Sequence, residues 1–246
     1  AALRIALRRA RAGWDAGDMY VPSHFAMSAA ETRSLLASIT AADLITPTSE
    51  GLIATFLPLQ YDAGPGEHGA LFGHVARNNA HWRAADVADG DGASGSAGES
   101  LVIVRGPDAY VSPSFYAAKR EHGRVVPTWN YVTAHVYGRL IVHDDVDWLR
   151  SLVTTLTKQH EAQFAEPWAV TDAPVRYIDG QLKAIVGVEL RITRIEAKAK
   201  LSQNRSEADR IGVVAGLSAP GSAATTARAS LAAAVQSTLP DQVSEP

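Results

Sequence analysis

The chain has 246 residues, 46% hydrophobic and 20% charged, with a formal net charge of −3 and no cysteine. That length suits one large β domain or two small ones, and the missing cysteines exclude disulfides, thiolate metal sites and cysteine nucleophiles. Mild acidity argues against general attraction to nucleic acid, and no stretch reaches the roughly 18 uninterrupted apolar residues that span a bilayer; a soluble cytoplasmic protein without membrane contact is expected.

Residues 1–18, AALRIALRRARAGWDAGD, are basic and alanine-rich without the apolar centre of a secretory signal, and read as an N-terminal extension or a short basic helix. The folded domain is expected over 19–217. Within it, Ser28 stands three residues before Glu31, a capping box that opens an amphipathic helix carrying Leu35, Leu36 and Ile39. Residues 44–61 read as a β-hairpin with its turn near Thr48–Gly51, and ALFGHV as a further strand. Residues 88–99, ADGDGASGSAGE, carry no large apolar side chain and read as a flexible loop insertion.

Strands resume at 101–111, 129–143 and 184–196. Between the last two, Trp148, Leu149, Leu152, Val153 and Leu156 recur at helical spacing behind the cap candidate Asp145. Further helices are predicted over 174–185 and 206–214, and residues 218–246, rich in Ala, Ser and Thr, are expected to fray as a tail. Many strands with few helices predict a mainly β, α+β domain built on an antiparallel sheet or barrel.

Several motifs bear on chemistry. Gly64, Gly66 and Gly69 match G-x-G-x-x-G, but Pro65 lies inside and a strand follows, so the segment reads as a turn. No H-E-x-x-H occurs, and no zinc site is predicted. In GHVARNNAHW a strand delivers His74 and Arg77 just before Asn78 or Asn79 can cap a short helix. That arrangement suits either a phosphate held by N–H groups and a guanidinium fork, or a surface arginine beside a structural cap. The run RGPDAYVSPSFYAAKREHG gathers Tyr110, Ser112, Ser114, Tyr116 and Lys119 without Ser-x-x-Lys spacing, and reads as a ligand or interface loop.

In NYVTAHVYGRL, Val132, Ala134, Val136, Gly138 and Leu140 share one face, and Tyr131, Thr133, His135, Tyr137 and Arg139 the other. The first face suits a barrel interior. The second is too polar for a core and too aromatic for plain solvent, so it should meet a ligand or a second subunit. Lys198, Lys200, Gln203, Asn204 and Arg205 form either a solvated charge run or contacts to a planar anionic ligand.

MYVPSHFAM, GHVARNNAHW, GPDAYVSPSFYAAKREHGRVVPTWNY and KLSQNRSEADRIGVVAGL, in that order over residues 19–217, closely resemble the PaiB family of FMN-binding negative transcriptional regulators. The resemblance implies a split β-barrel related to pyridoxamine phosphate oxidases, a homodimer with flavin sites in clefts between subunits, and DNA as a partner. It implies FMN contacts from Arg77 and Asn78 at the phosphate, and from Lys119, Trp129, Asn130, Lys200 and Gln203. A weaker resemblance to heme-dependent piperazate synthases implies, as the alternative, heme b with His74 of GHVARNN as axial ligand and N–N bond formation on a hydroxylated ornithine. Ala199 and the 88–99 insertion depart from the usual PaiB pattern.

Overall fold

Six strands close into an antiparallel barrel: β1 Ala41–Thr48, β2 Gly51–Asp62, β3 Ala70–Ala76, β4 Ser100–Val111, β5 Thr128–His143 and β6 Ile185–Lys200, in the spatial order β1-β2-β3-β6-β5-β4. The computed structural model describes residues 19–83, 99–219 and 226–240. The expected extension at 1–18 and nearly all of the expected insertion at 88–99 lie outside these residues.

Alternation closes the barrel. Leu44, Leu57, Leu71, Val102, Val136 and Val188 point inward and are at most 2% exposed, each contributing about 1.5–3 kcal/mol through burial. Ala134 and Val136 of β5 lie on this inner side, and Tyr131, Thr133, His135 and Tyr137 on the outer side, as the sequence alternation requires.

Helix α1, Ala29–Ala37, starts at the Ser28–Glu31 capping box: Ser28 Oγ accepts from Glu31 N–H at 3.2 Å, and the Glu31 carboxylate from Ser28 N–H at 2.7 Å. A single turn, α2, spans Ala118–Glu121. Helix α3, Val146–Glu161, is capped by Asp145 and buries Leu149, Leu152 and Leu156. Its Trp148 stacks on His143 and lies where a side chain on Gly187 would have to go, 2.1 Å from the position of an added Cβ. Any larger residue at 187 would have to displace the Trp148 indole. Helix α4, Val175–Leu182, precedes β6 and packs Ile178 and Leu182 against Leu149.

The C-terminal region corrects the expectation of a fraying tail. Helix α5, Glu207–Ser218, pairs with helix α6, Thr226–Gln236, and α6 also packs against β4. Leu231 and Val235 are fully buried with Val111, Tyr116, Val213 and Leu217 in a second core. Alanine is the best helix former and the smallest apolar side chain. An alanine-rich stretch can therefore pack closely on two or three larger anchors, although its composition resembles a tail.

Candidate functional site

The outer face of the β4–β5 pair carries a groove of about 480 Å³, lined by Ile103, Arg105, Asp108, Trp129, Tyr131, Thr133 and His135. Its shape follows from a β-bulge. Arg105 pairs with Thr133 but Asp108 pairs with Tyr131, so β4 holds one extra residue at Gly106-Pro107. A bulge re-aims the side chains beyond it; in uninterrupted alternation Pro107, not Asp108, would face outward. Gly106 is needed there, because an added Cβ would come within 2.9 Å of Val132 Cβ.

The re-aimed Asp108 accepts a hydrogen bond from Trp129 Nε1 at 3.0 Å, and Tyr110 flanks the indole with ring centroids 6.4 Å apart. One end of the groove is thus aromatic and the other, at Arg105, Thr133 and His135, polar. From Trp129 to His135 the strand advances about 20 Å. Burial holds the His135 imidazole below its ordinary pKa, with Glu196 on the neighbouring strand pulling the other way. Glu196 is itself engaged: it accepts from Met19 N–H at 2.9 Å and pairs with Arg194 at 2.5 Å.

The eight residues implicated from sequence do not come together in one chain. His74, Arg77 and Asn78 lie at the β3 end, where His74 pairs with Gly187. Trp129, Asn130, Lys200 and Gln203 lie at the other end of β6, about 40 Å of strand away.

Arg77 departs from the expected phosphate fork. Its Nη1 donates to Asp144 Oδ2 at 2.9 Å and its Nη2 to Asp144 Oδ1. Nε donates to the Lys183 carbonyl at 2.8 Å and Nη2 to that of Ile185 at 3.0 Å. The guanidinium clamps the turn after β3 to the start of β6. Asn78 is exposed, and Asn79 caps the following 3-10 turn, accepting from His81 N–H at 2.9 Å.

Asn130 faces the interior rather than the groove. It is fully buried, its Nδ2 donates to Ser202 Oγ at 2.9 Å, and its Oδ1 has no partner among the described residues. Gln203 braces its own turn, accepting from Leu201 N–H and donating to the Ala199 carbonyl, both at 2.7 Å. Lys200 donates to Thr128 Oγ1 at 2.6 Å, and Lys119, exposed, to Ser114 Oγ at 3.1 Å. Trp129 alone of the eight lines the groove. Arg105 and Asp108 were missed, although Gly-Pro inside a strand is the usual mark of a bulge.

His74 borders a separate cavity of about 330 Å³ together with Pro58, Leu156, Glu161 and Trp168. Its Nδ1 is buried without a partner, and burial pushes the imidazole below its ordinary pKa. A histidine that ligates iron normally donates its second ring N–H to a carboxylate or carbonyl, which orients the ring and raises its basicity. Among the described residues His74 has no such acceptor, and heme is not favoured here. Among the described residues no group of three or more His, Asp or Glu could hold a metal ion, and no helix is long and apolar enough to cross a membrane.

Residues 19–194 match a family model described as "Putative FMN-binding domain". The chain belongs to this family. Protease synthase and sporulation protein PAI 2 of Bacillus subtilis is 32% identical over 197 residues, which are 80% of this chain and 87% of that protein. An uncharacterized protein of Emericella nidulans is 34% identical over 185 residues, 66% of this chain and 74% of its own. Among solved structures, a conserved hypothetical protein from Mycobacterium tuberculosis aligns over 76% of this chain and 92% of its own, with a TM-score of 0.49 and 10% identity. An FAD and heme binding protein from Mycobacterium smegmatis aligns over 70% and 71%, with a TM-score of 0.48 and 18% identity. The match to the family model covers β1 to β5 and most of β6, and so includes every groove residue.

Proposed function

We propose that this family member binds FMN in the β4–β5 groove, as a PaiB-type protein, and that two copies associate so that the groove lies at their interface. The observation that carries the reading is the groove itself: room for a planar ligand, an aromatic wall of Trp129 and Tyr131, and polar donors further along the same pair of strands. A volume of this order, with apolar walls and a few placed polar groups, is that of small-molecule sites in general. When bound, FMN supplies one- and two-electron redox chemistry. The chain supplies a ring platform, hydrogen-bond donors and a half-buried imidazole.

Association of two copies is supported by the groove's rim, where the neighbouring Tyr110 and Trp129 are each 50% exposed. An exposed cluster of large apolar side chains beside a ligand groove is the kind of surface a partner covers. The output implied by the PaiB resemblance is negative regulation of transcription.

Titration of the purified full-length chain with FMN, followed by flavin fluorescence, tests the binding. Saturable quenching that weakens in Trp129→Ala supports it. A wild-type chain that leaves flavin fluorescence unchanged, or one that purifies with a Soret band abolished in His74→Ala, overturns it. Gel shifts at physiological salt, with and without FMN, test the regulatory output, since binding seen only at low salt reflects nonspecific phosphate contact.

A further inference from the structure

We infer that the segment 118–127, which contains α2 and the loop after it, forms with Lys200 and Arg205 the surface through which this chain meets the phosphate backbone of duplex DNA. This rests on the regulatory output proposed above and names the surface that carries it.

A net charge of −3 is a sum over the whole chain, and it hides how the cations are placed. Several arginines elsewhere are neutralised: Arg77 by Asp144, Arg150 by Asp179, Arg191 by Glu189, and Arg194 by Glu99 and Glu196. The cations of this surface are not. Lys119, Arg120 and Arg124 are exposed, and among the described residues none of them has a carboxylate within ion-pair reach; Lys119 donates to the Ser114 hydroxyl at 3.1 Å. Lys200 donates to the Thr128 hydroxyl at 2.6 Å, and Arg205 Cζ lies 4.9 Å from the centre of the Tyr116 ring. The acids nearby in sequence are Glu121, Glu207 and Asp209. Glu121 and Glu207 are exposed, whereas Asp209 is buried and accepts from Ala118 N–H at 2.9 Å. Five cations therefore stand against two exposed carboxylates.

The fold holds these charges close together. Helix α2 ends at Gly123, whose φ of 67° lies in the left-handed region, and the chain turns back toward β5. Arg124 then stands four residues before Thr128, the partner of Lys200, a span of at most about 14 Å. Tyr116, 1% exposed, and Val125 both pack in the second core, so the cations between them are carried on a fixed support. Duplex DNA carries one negative charge per roughly 1.7 Å of axis, so neighbouring cations each meet a phosphate without a shaped pocket. The arginine fork matches that phosphate. Single strands are held instead by rings on which bases stack, and residues 117–127 include no Phe, Tyr or Trp. The surface thus fits the duplex.

The test uses fluorescence anisotropy of a labelled mixed-sequence duplex with the full-length chain, between about 50 and 200 mM salt. Wild type, the double variant Arg120→Ala/Arg124→Ala and the control Arg8→Ala/Arg9→Ala are compared; the last removes the same charge from the basic stretch at residues 1–18. Each phosphate contact contributes about −0.9 to the slope of log affinity against log salt, so Arg120→Ala/Arg124→Ala should flatten the slope by about 2. The control should keep the wild-type slope, and all three proteins should melt together. A slope unchanged in Arg120→Ala/Arg124→Ala, or flattened as much in the control, overturns the surface while the regulatory reading stands. A single strand of equal length that binds as tightly overturns the duplex as partner. Wild type that fails to bind at physiological salt overturns the regulatory reading, and the surface with it.

Discussion

Trp129 Nε1 donates to Asp108 Oδ1 across the β4–β5 pair, and this bond exists because one extra residue in β4 turns Asp108 outward. It sets the aromatic wall of the groove. In Asp108→Ala the indole loses its tether, and an exposed hydrogen bond of this kind contributes only about 0.5–1.5 kcal/mol. The expected outcome is a nearly unchanged melting temperature with FMN affinity reduced about three- to tenfold, measured by flavin fluorescence quenching.

Arg77 is expected to act on stability rather than on cofactor. Its clamp on Asp144, Lys183 and Ile185 ties the end of β3 to the start of β6. Arg77→Ala and Asp144→Asn should each lower the denaturation midpoint, and the double variant should fall short of the sum of the two, as groups in one network do. Urea melts of the four proteins check this; additive losses would contradict it.

His81 is 1% exposed and holds a buried hydroxyl chain: its Nδ1 lies 2.9 Å from Thr55 Oγ1, its Nε2 2.8 Å from Thr46 Oγ1, and Thr46 Oγ1 2.8 Å from Ser100 Oγ. Burial holds its folded pKa below the ordinary 6.5, and lowers those of His74 and His135 likewise. The unfolded chain then binds more protons, so stability rises with pH in this window. Thermal midpoints should be flat above neutrality, begin to fall as pH drops through about 6.5, and level with respect to each histidine below its folded pKa. The slope is at most about 1.4 kcal/mol per pH unit for each such group. His81→Gln should shallow the acid limb while costing stability at pH 8; an unchanged limb would show that the other histidines carry it.

What the sequence disclosed and what it hid divide along a physical line. Period-two alternation in β5 and the Ser28–Glu31 and Asp145 caps are local patterns, and the structure follows them. The bulge that re-aims Asp108 is a register event between two strands. The Arg77–Asp144 clamp joins residues 67 apart in the chain, and each partner alone looks like an ordinary surface charge. Motif likeness therefore led to Arg77, while the groove's arginine without a partner among the described residues is Arg105, in a stretch read from sequence as the end of a strand and the start of a ligand or interface loop.

Helix α6 makes the C-terminal region part of the fold. Leu231 is fully buried in the second core, where α6 packs against α5 and β4. Leu231→Ala should cost about 2–4 kcal/mol, the range for a buried leucine whose cavity only partly collapses. Chemical denaturation reads the loss directly; a change under about 0.5 kcal/mol would mean that α6 does not pack in solution as described.

Association of two copies is the last expectation, and it can be separated from flavin binding. Tyr110 lies on the rim beside Trp129, half exposed, and pairs with it across the strands. A glutamate there would place a charge against the apolar rim of a second copy, where burial without a partner is costly, yet would sit in solvent in a monomer. Sedimentation velocity should show a dimer for wild type and a shift toward monomer for Tyr110→Glu at the same concentration, with circular dichroism unchanged. If the FMN groove is completed across the interface, flavin affinity should fall with the dimer and recover as protein concentration is raised. Loss of affinity independent of concentration would place the whole effect of the substitution inside one chain.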